Sequence, residues 1–379
     1  MFFIRNFSYT NSVPRFDMPT SSNLNLFWCS GSMAGIAMSI QLISGIICSM
    51  DYIGFINTEL GLTHHLVAGP GPLLDNFSIE LLRFMHLWGA SLLFVCLFIH
   101  MGRGLYYCSY SKNPIMWSLG VVIYVAIMAE AFMGYLLPWH QMSYWAGVVI
   151  SSIFLSLPLF GPHLYSYLLG SYDFGSSIIS RVFVVHVVFG FIILFLIILH
   201  LVSLHKIGSS DSFNSSDSYS DSIYFHNLYT RKDLFVWLFV ILITLVLTCY
   251  NPWLTSCKEN FMIPNSLSTP TNIKPEWYFL PFYAILRSIE NKIGGLLAVV
   301  LVLFLFWLPS PSWMTGFNSS FRRLVFWFIS YSFIFLGVLG SMDPTGLCQL
   351  MSILSNFILC ISLFFLKLYD YLLFLAMDD

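Results

Sequence analysis

Four histidines stand where chemistry is hard to avoid. "RFMHLWGASLLFVCLFIH" (83–100) carries His86 and His100, and "RVFVVHVVFGFIILFLIILH" (181–200) carries His186 and His200. Both pairs are 14 residues apart in otherwise apolar runs with an arginine ahead of the first histidine. Lipid solvates imidazole poorly, so a histidine inside a membrane span is a functional candidate. The plainer alternative is a ring hydrogen-bonded to a neighbouring helix. Fourteen residues at about 100° each return to within about 40° of the starting face and rise about 21 Å. One histidine of each pair therefore sits near each boundary of a hydrocarbon core about 30 Å thick.

The elements that must hold them are membrane helices. The chain has 379 residues, of which 58% are hydrophobic and 9% charged, with a mean hydropathy of +0.79. That composition predicts an all-α, polytopic integral membrane protein. Long apolar stretches at 26–50, 79–102, 115–136, 182–204, 234–250, 293–308, 324–340 and 351–368 predict eight transmembrane helices. No soluble domain of separable size remains. The N-terminus carries neither a transit-peptide nor a signal-peptide pattern, which suggests synthesis in the compartment that inserts the chain. The eight cysteines form no C-x-x-C pair, which argues against structural zinc and covalent haem attachment. A net charge of −2 without a basic cluster asks for no nucleic acid. Eight spans put both termini on one side, with ten of the sixteen basic residues, Arg5 and Arg15 among them. The positive-inside rule makes that the negative, matrix or cytoplasmic side.

Spans two and four then run parallel, so His86 meets His186 toward the positive side and His100 meets His200 toward the negative side. Neutral imidazoles on facing helices can clasp an iron from both axial positions, closing it to oxygen and leaving electron transfer. Two b-type haems, non-covalently held and stacked across the bilayer inside the first four helices, suit this geometry. Zinc does not, because two ligands at each of two depths build no tetrahedron. Gly31 and Gly45 in span one, and Gly120 and Gly134 in span three, repeat the spacing of 14. A helix-interior glycine costs about 1 kcal/mol against alanine. Small-residue helix packing is the ordinary explanation; matched to the histidines, the four predict room for a flat macrocycle.

Further stretches carry a resemblance: "RFMHLWGASLLFVCLFIHMGRGLYY", "AFMGYLLPWHQMSYW", "FLIILHLVSLHKIGS", "YTRKDL" and "TNIKPEWYFLPFYAILRS". Over nearly its whole length the chain resembles the mitochondrial-type cytochrome b family of ubiquinol–cytochrome c reductases. The resemblance implies bifurcated quinol oxidation on the positive side, electron transfer through the haems, and quinone reduction on the negative side, coupled to proton translocation. It implies a mitochondrial inner membrane rather than a bacterial plasma membrane. It also implies ubiquinol or ubiquinone at two sites, and a dimeric complex with a Rieske iron–sulfur protein, a c-type cytochrome and accessory subunits. Glu276, in Pro-Glu-Trp-Tyr, is expected to take the quinol proton, with Tyr135 and Tyr278 as polar partners. A carboxyl at an apolar boundary has a raised pKa and suits that role; a solvated loop carboxylate is the alternative. His205, Ser209, Ser32, Lys232 and Asp233 are expected at the reduction site, although Lys232-Asp233 also reads as an interfacial helix start. Arg83 and Arg103, each three residues from a histidine, suit haem propionates or serve as snorkelling anchors.

Three regions are expected: a di-haem part at 1–207, a serine-rich loop at 208–232, and a four-helix C-terminal part at 233–379. The chain departs from the family at His140, Ala146, Gly190 and Cys29. Another di-haem quinone reductase and a transporter with histidine proton relays are the rival readings.

Overall fold

Apolar runs without interior proline become helices here because lipid offers no partner to an open backbone N–H or C=O. In the computed structural model, which describes residues 19–52, 77–171, 174–210, 222–308 and 319–378, eleven helices longer than one turn follow. They are α1 (Ser30–Asp51), α2 (Phe77–Tyr106), α3 (Pro114–Leu136), α4 (Gln141–Leu155), α5 (Gly161–Leu169), α6 (Ser176–Ile207), α7 (Phe225–Tyr250), α8 (Leu280–Ser288), α9 (Lys292–Trp307), α10 (Ser320–Ser341) and α11 (Gly346–Asp378). The only sheet among the described residues pairs β1 (Pro19–Ser21) antiparallel with β2 (Ser222–Tyr224), Thr20 opposite Ile223. Arg5, Arg15 and most of the serine-rich segment lie outside the described residues. α7 begins at Phe225, inside the segment expected to be loop.

Seven of these helices are long and apolar enough to cross a membrane. The expected sixth span is α9, whose 16 residues reach about 24 Å. Its end has a local cause. Leu308 precedes Pro309, which biases it out of the helical region, and its φ/ψ are −45°/120°. Elsewhere side chains start the helices: Asn113 accepts from Met116 N at 3.0 Å ahead of Pro114, and Asn291 accepts from Ile293 N at 2.9 Å.

The N-terminal bundle is two antiparallel pairs, α1 against α2 and α3 against α6. Ala37, Leu93, Phe94, Ile123, Ile127 and Ile193 fill its middle, joined by Val240 of α7 and by Tyr278 and Phe282. A second core gathers α8 to α11 with Leu105 and Tyr110 from the bundle side. Outward positions on α6, among them Val184, Val188, Phe191 and Phe195, are exposed; such a face belongs against lipid.

Candidate functional site

The bundle brings the four histidines together in two pairs. His86 and His186 ring centres lie 6.3 Å apart, and His100 and His200 lie 6.5 Å apart. A metal about 2 Å from each of two imidazole nitrogens, each nitrogen about 1 Å from its ring centre, asks for about 6 Å between centres. The ring planes cross at 88° and 70°. MORE of the fit lies behind the rings. Ser44 Oγ donates to Ile40 O at 2.6 Å, so its lone pair accepts from His86 Nδ1–H at 3.0 Å. Likewise Ser30 Oγ donates to Phe27 O at 2.7 Å and accepts from His100 Nδ1–H at 3.3 Å. His186 Nδ1 faces two acceptors, Glu130 O at 3.2 Å and Glu130 Oε1 at 3.1 Å, and so must donate. A protonated Nδ1 leaves Nε2 with the lone pair a metal needs, and outer hydrogen bonds of this kind fix the ligating tautomer. His200 differs: its buried Nδ1 has no side-chain partner, and only the Met116 backbone faces it.

Each glycine serves one ring. A Cβ on Gly45 would come within 2.9 Å of His86 Cε1, on Gly134 within 2.9 Å of His186 Cε1, on Gly31 within 3.0 Å of His100 Cε1, and on Gly120 within 3.3 Å of His200 Cε1. The expected room for a macrocycle is thus, in the first place, room for the imidazoles. Arg103 has its Nε buried and unbonded beside Trp28, its guanidinium carbon 5.4 Å from that ring. An unsatisfied buried cation three residues from His100 fits a propionate. Arg83 packs over Phe84 at 5.7 Å. The residues present fit two bis-histidine haems.

At the end of the bundle expected to face the positive side, a cavity of about 580 Å³ is lined by Tyr135, Met142, Cys257, Lys274, Pro275, Glu276, Trp277 and Leu280, among others. Burial pushes the Glu276 carboxyl up to about 7, since a low-dielectric wall disfavours the charged form. Burial, then the Glu276 charge, raises the Tyr278 phenol well above its ordinary value. Tyr278 itself is turned inward, stacked on Phe94 at 4.0 Å, and does not line the cavity. Ala146 is buried on α4 without lining it either.

The loop at 257–268 closes the cavity because α4 grips it. Gln141 N donates to Met262 O at 2.9 Å, Gln141 Nε2 to Ser268 O at 2.6 Å, and Asn265 N to Gln141 Oε1 at 2.6 Å. His140 starts that helix. Its Nδ1 accepts from Ser143 N at 3.1 Å while its own N–H donates to Ser143 Oγ at 3.0 Å, a capping box. Burial, then the Arg83 charge, pushes His140 down to about 3, which keeps Nδ1 an acceptor.

At the end expected to face the negative side, Ser32 Oγ donates to Asp233 Oδ1 at 2.8 Å and Lys232 Nζ to Leu24 O at 2.9 Å. The β1–β2 pairing and the Tyr229 hydroxyl, donating to Ser21 O at 2.5 Å, hold α7 to this strand. His205 and Ser209 are exposed nearby in the chain, and no hydrogen bond or ion pair joins His205 to Asp233.

Three partners escape a reading centred on histidine and glycine. Ser30 and Ser44 each precede a histidine-facing glycine, and the repeated Ser-Gly dipeptide is visible in the sequence. Glu130 was equally visible, as the lone acidic residue of span three.

Residues 15–208 match the family described as "Cytochrome b/b6/petB", and residues 263–360 match "Cytochrome b(C-terminal)/b6/petD". Among curated relatives, the cytochrome b of Eptatretus burgeri is 36% identical over 346 residues, 90% of this chain and 88% of that one. The cytochrome b of Brachionus plicatilis is 36% identical over 330 residues, covering 86% and 85%. Among solved structures, a chain of "Hyperthermophilic respiratory Complex III" superposes with a TM-score of 0.84 at 25% identity, covering 97% of both chains.

Proposed function

The chain belongs to the cytochrome b family, and on that premise we propose that it works as the core redox subunit of a quinol–cytochrome c reductase, oxidising quinol on one side of the membrane and reducing quinone on the other. The observation that carries this reading is the two facing imidazole pairs, three of whose four Nδ1 hydrogens are held from behind, leaving Nε2 for iron. His86 and His186 hold one haem and His100 and His200 the other, with Arg103 offering its free Nε–H to a propionate and Arg83 placed for the same task. When bound, the two b haems supply one-electron transfer between the two faces of the bilayer.

The remaining roles fall to the polar residues at each end. Glu276 takes a proton from a quinol hydroxyl onto its carboxylate, with the Tyr135 phenol of the same cavity orienting the ring and Tyr278 packed behind that wall. Met142, Trp277 and Leu280 keep water from the far wall. On the opposite side Asp233, Ser32 and Lys232 form the polar floor, and His205 and Ser209, at the end of α6, bring protons to a quinone carbonyl. Each quinol carries two electrons, and only one can go to the His86–His186 side. The other needs an acceptor outside this chain: an iron–sulfur protein of the Rieske type, passing it to a c-type cytochrome. The chain works within a multisubunit complex, dimeric and set in a mitochondrial inner membrane. A redox difference spectrum of the assembled complex tests the proposal. Two b-type bands with separate midpoints are expected; a chain free of haem would instead be a transporter with histidine relays.

A further inference from the structure

The two imidazole pairs are alike in spacing and in their glycines, but unlike in what stands behind them. His86 and His100 are backed by serine hydroxyls. His186 is backed by Glu130, through the backbone oxygen at 3.2 Å and the carboxyl Oε1 at 3.1 Å. Fourteen residues earlier, where the same α3 face meets His200, stands Met116, which has no charge to offer. An acidic side chain in a membrane span is costly and persists where it has work to do. Packing does not account for this one, since Glu130 Oε2 is buried without a hydrogen bond. Gly190 of α6, buried opposite, leaves it room: a Cβ there would lie 3.2 Å from Glu130 Oε1.

We propose that Glu130 is a positioning residue that lowers the potential of the His186-held haem below the value the imidazole pair alone would set. The inference rests on the reading of His86 and His186 as haem ligands. A carboxylate accepting the Nδ1 hydrogen draws it away from the ring and raises the basicity of Nε2. A more basic axial nitrogen favours ferric over ferrous iron, and second-shell hydrogen bonding is among the protein's levers on haem potential. The other three imidazoles are backed by serine hydroxyls or by backbone alone, so the Glu130 charge acts on one haem and not on the other. Gly190 and Glu130 act as one device, the first keeping the space that the second fills.

Spectrally resolved redox titration of both haems, in the assembled complex carrying the variant, tests this. Glu130→Gln keeps size and one acceptor oxygen but removes the charge. It should favour reduction of the His186-held haem by about tenfold, a rise of about 59 mV for one electron, and move the other haem less than twofold. Gly190→Ala, which alters neither Glu130 nor His186, should crowd the carboxyl off Nδ1 and raise the same potential; Glu130→Asp should restore part of the native value. Equal shifts of both haems, or no shift in Glu130→Gln, would overturn the proposal. If Glu130→Gln loses the haem, Gly190→Ala decides on the same criterion. A native protein lacking haem at His186 would instead overturn the ligand reading on which this rests.

Discussion

At the scale of single residues, the side chains with the clearest work are those that burial forces into one state. Glu276, at about 7, is mostly protonated below neutrality and cannot then accept a proton. Quinol oxidation should therefore rise as pH climbs through about 7. Glu276→Gln should abolish that limb and slow turnover, by about 10²–10⁴-fold if no water or phenol substitutes, with both haems retained. A turnover and pH profile matching the native protein would remove Glu276 from the reaction. The histidines give a sharper test. His86→Leu and His186→Leu should each remove the same b-type band, and His100→Leu and His200→Leu the other. Loss of one common band in His86 and His200 variants would contradict the 6.3 Å and 6.5 Å pairings.

At the scale of elements, helix faces matter through the atoms they omit. Gly134→Ala puts a methyl 2.9 Å from His186 Cε1 on a rigid ring. Overpacking of this kind costs about 1–3 kcal/mol, and the haem lost or shifted in the titration should be the one that His186→Leu removes. Gly35→Ala, on the same helix as Gly31 and Gly45 but with nothing within 4 Å, should leave both spectra unchanged. His140 shows the same logic at a helix end. It holds the first turn of α4, and α4 grips the 257–268 loop through Gln141. His140→Ala should cost about 0.5–2 kcal/mol of local stability, the usual range for a lost cap. The expected readout is faster hydrogen exchange in α4 and slower quinol oxidation, without loss of haem.

At the scale of the whole molecule, the two halves are locked by charge as well as by core packing. Tyr110, between α2 and α3, donates to Asp370 of α11 at 2.5 Å. Arg322 of α10 bonds both Asp370 and the Tyr110 hydroxyl, and Lys367 Nζ sits 3.4 Å over the Tyr110 ring. All four are buried. Removing one partner of a buried pair leaves an uncompensated charge and costs about 3–5 kcal/mol, whereas removing both can be neutral. Asp370→Ala should lower the melting temperature of the complex, and the double variant Arg322→Leu, Asp370→Leu should recover most of it while both haem spectra persist throughout. A double variant as unstable as the single one would show that the network is not a matched pair.

What the sequence determined by itself is what lipid physics writes locally. Lengths and positions of apolar runs follow from the bilayer, and the spacing of 14 between His86 and His100, between His186 and His200, and between their glycines follows from 3.6 residues per turn. The Pro-Glu-Trp-Tyr stretch likewise carried its family with it. Only the tertiary structure decided what depends on a second helix. Which atom each glycine spares is set by the α1–α2 and α3–α6 pairings. Ser44 accepts from His86 because two helices meet, and Glu130 reaches His186 across 56 positions of chain. Tyr278, two positions from Glu276 in the motif, turns away from the cavity that Glu276 lines and stacks on Phe94 of a different helix. Periodicity along one helix records which face is apolar. It holds no information on what the opposite face of another helix presents, and hydrogen-bond partners, tautomers and the difference between the two histidine pairs are settled there.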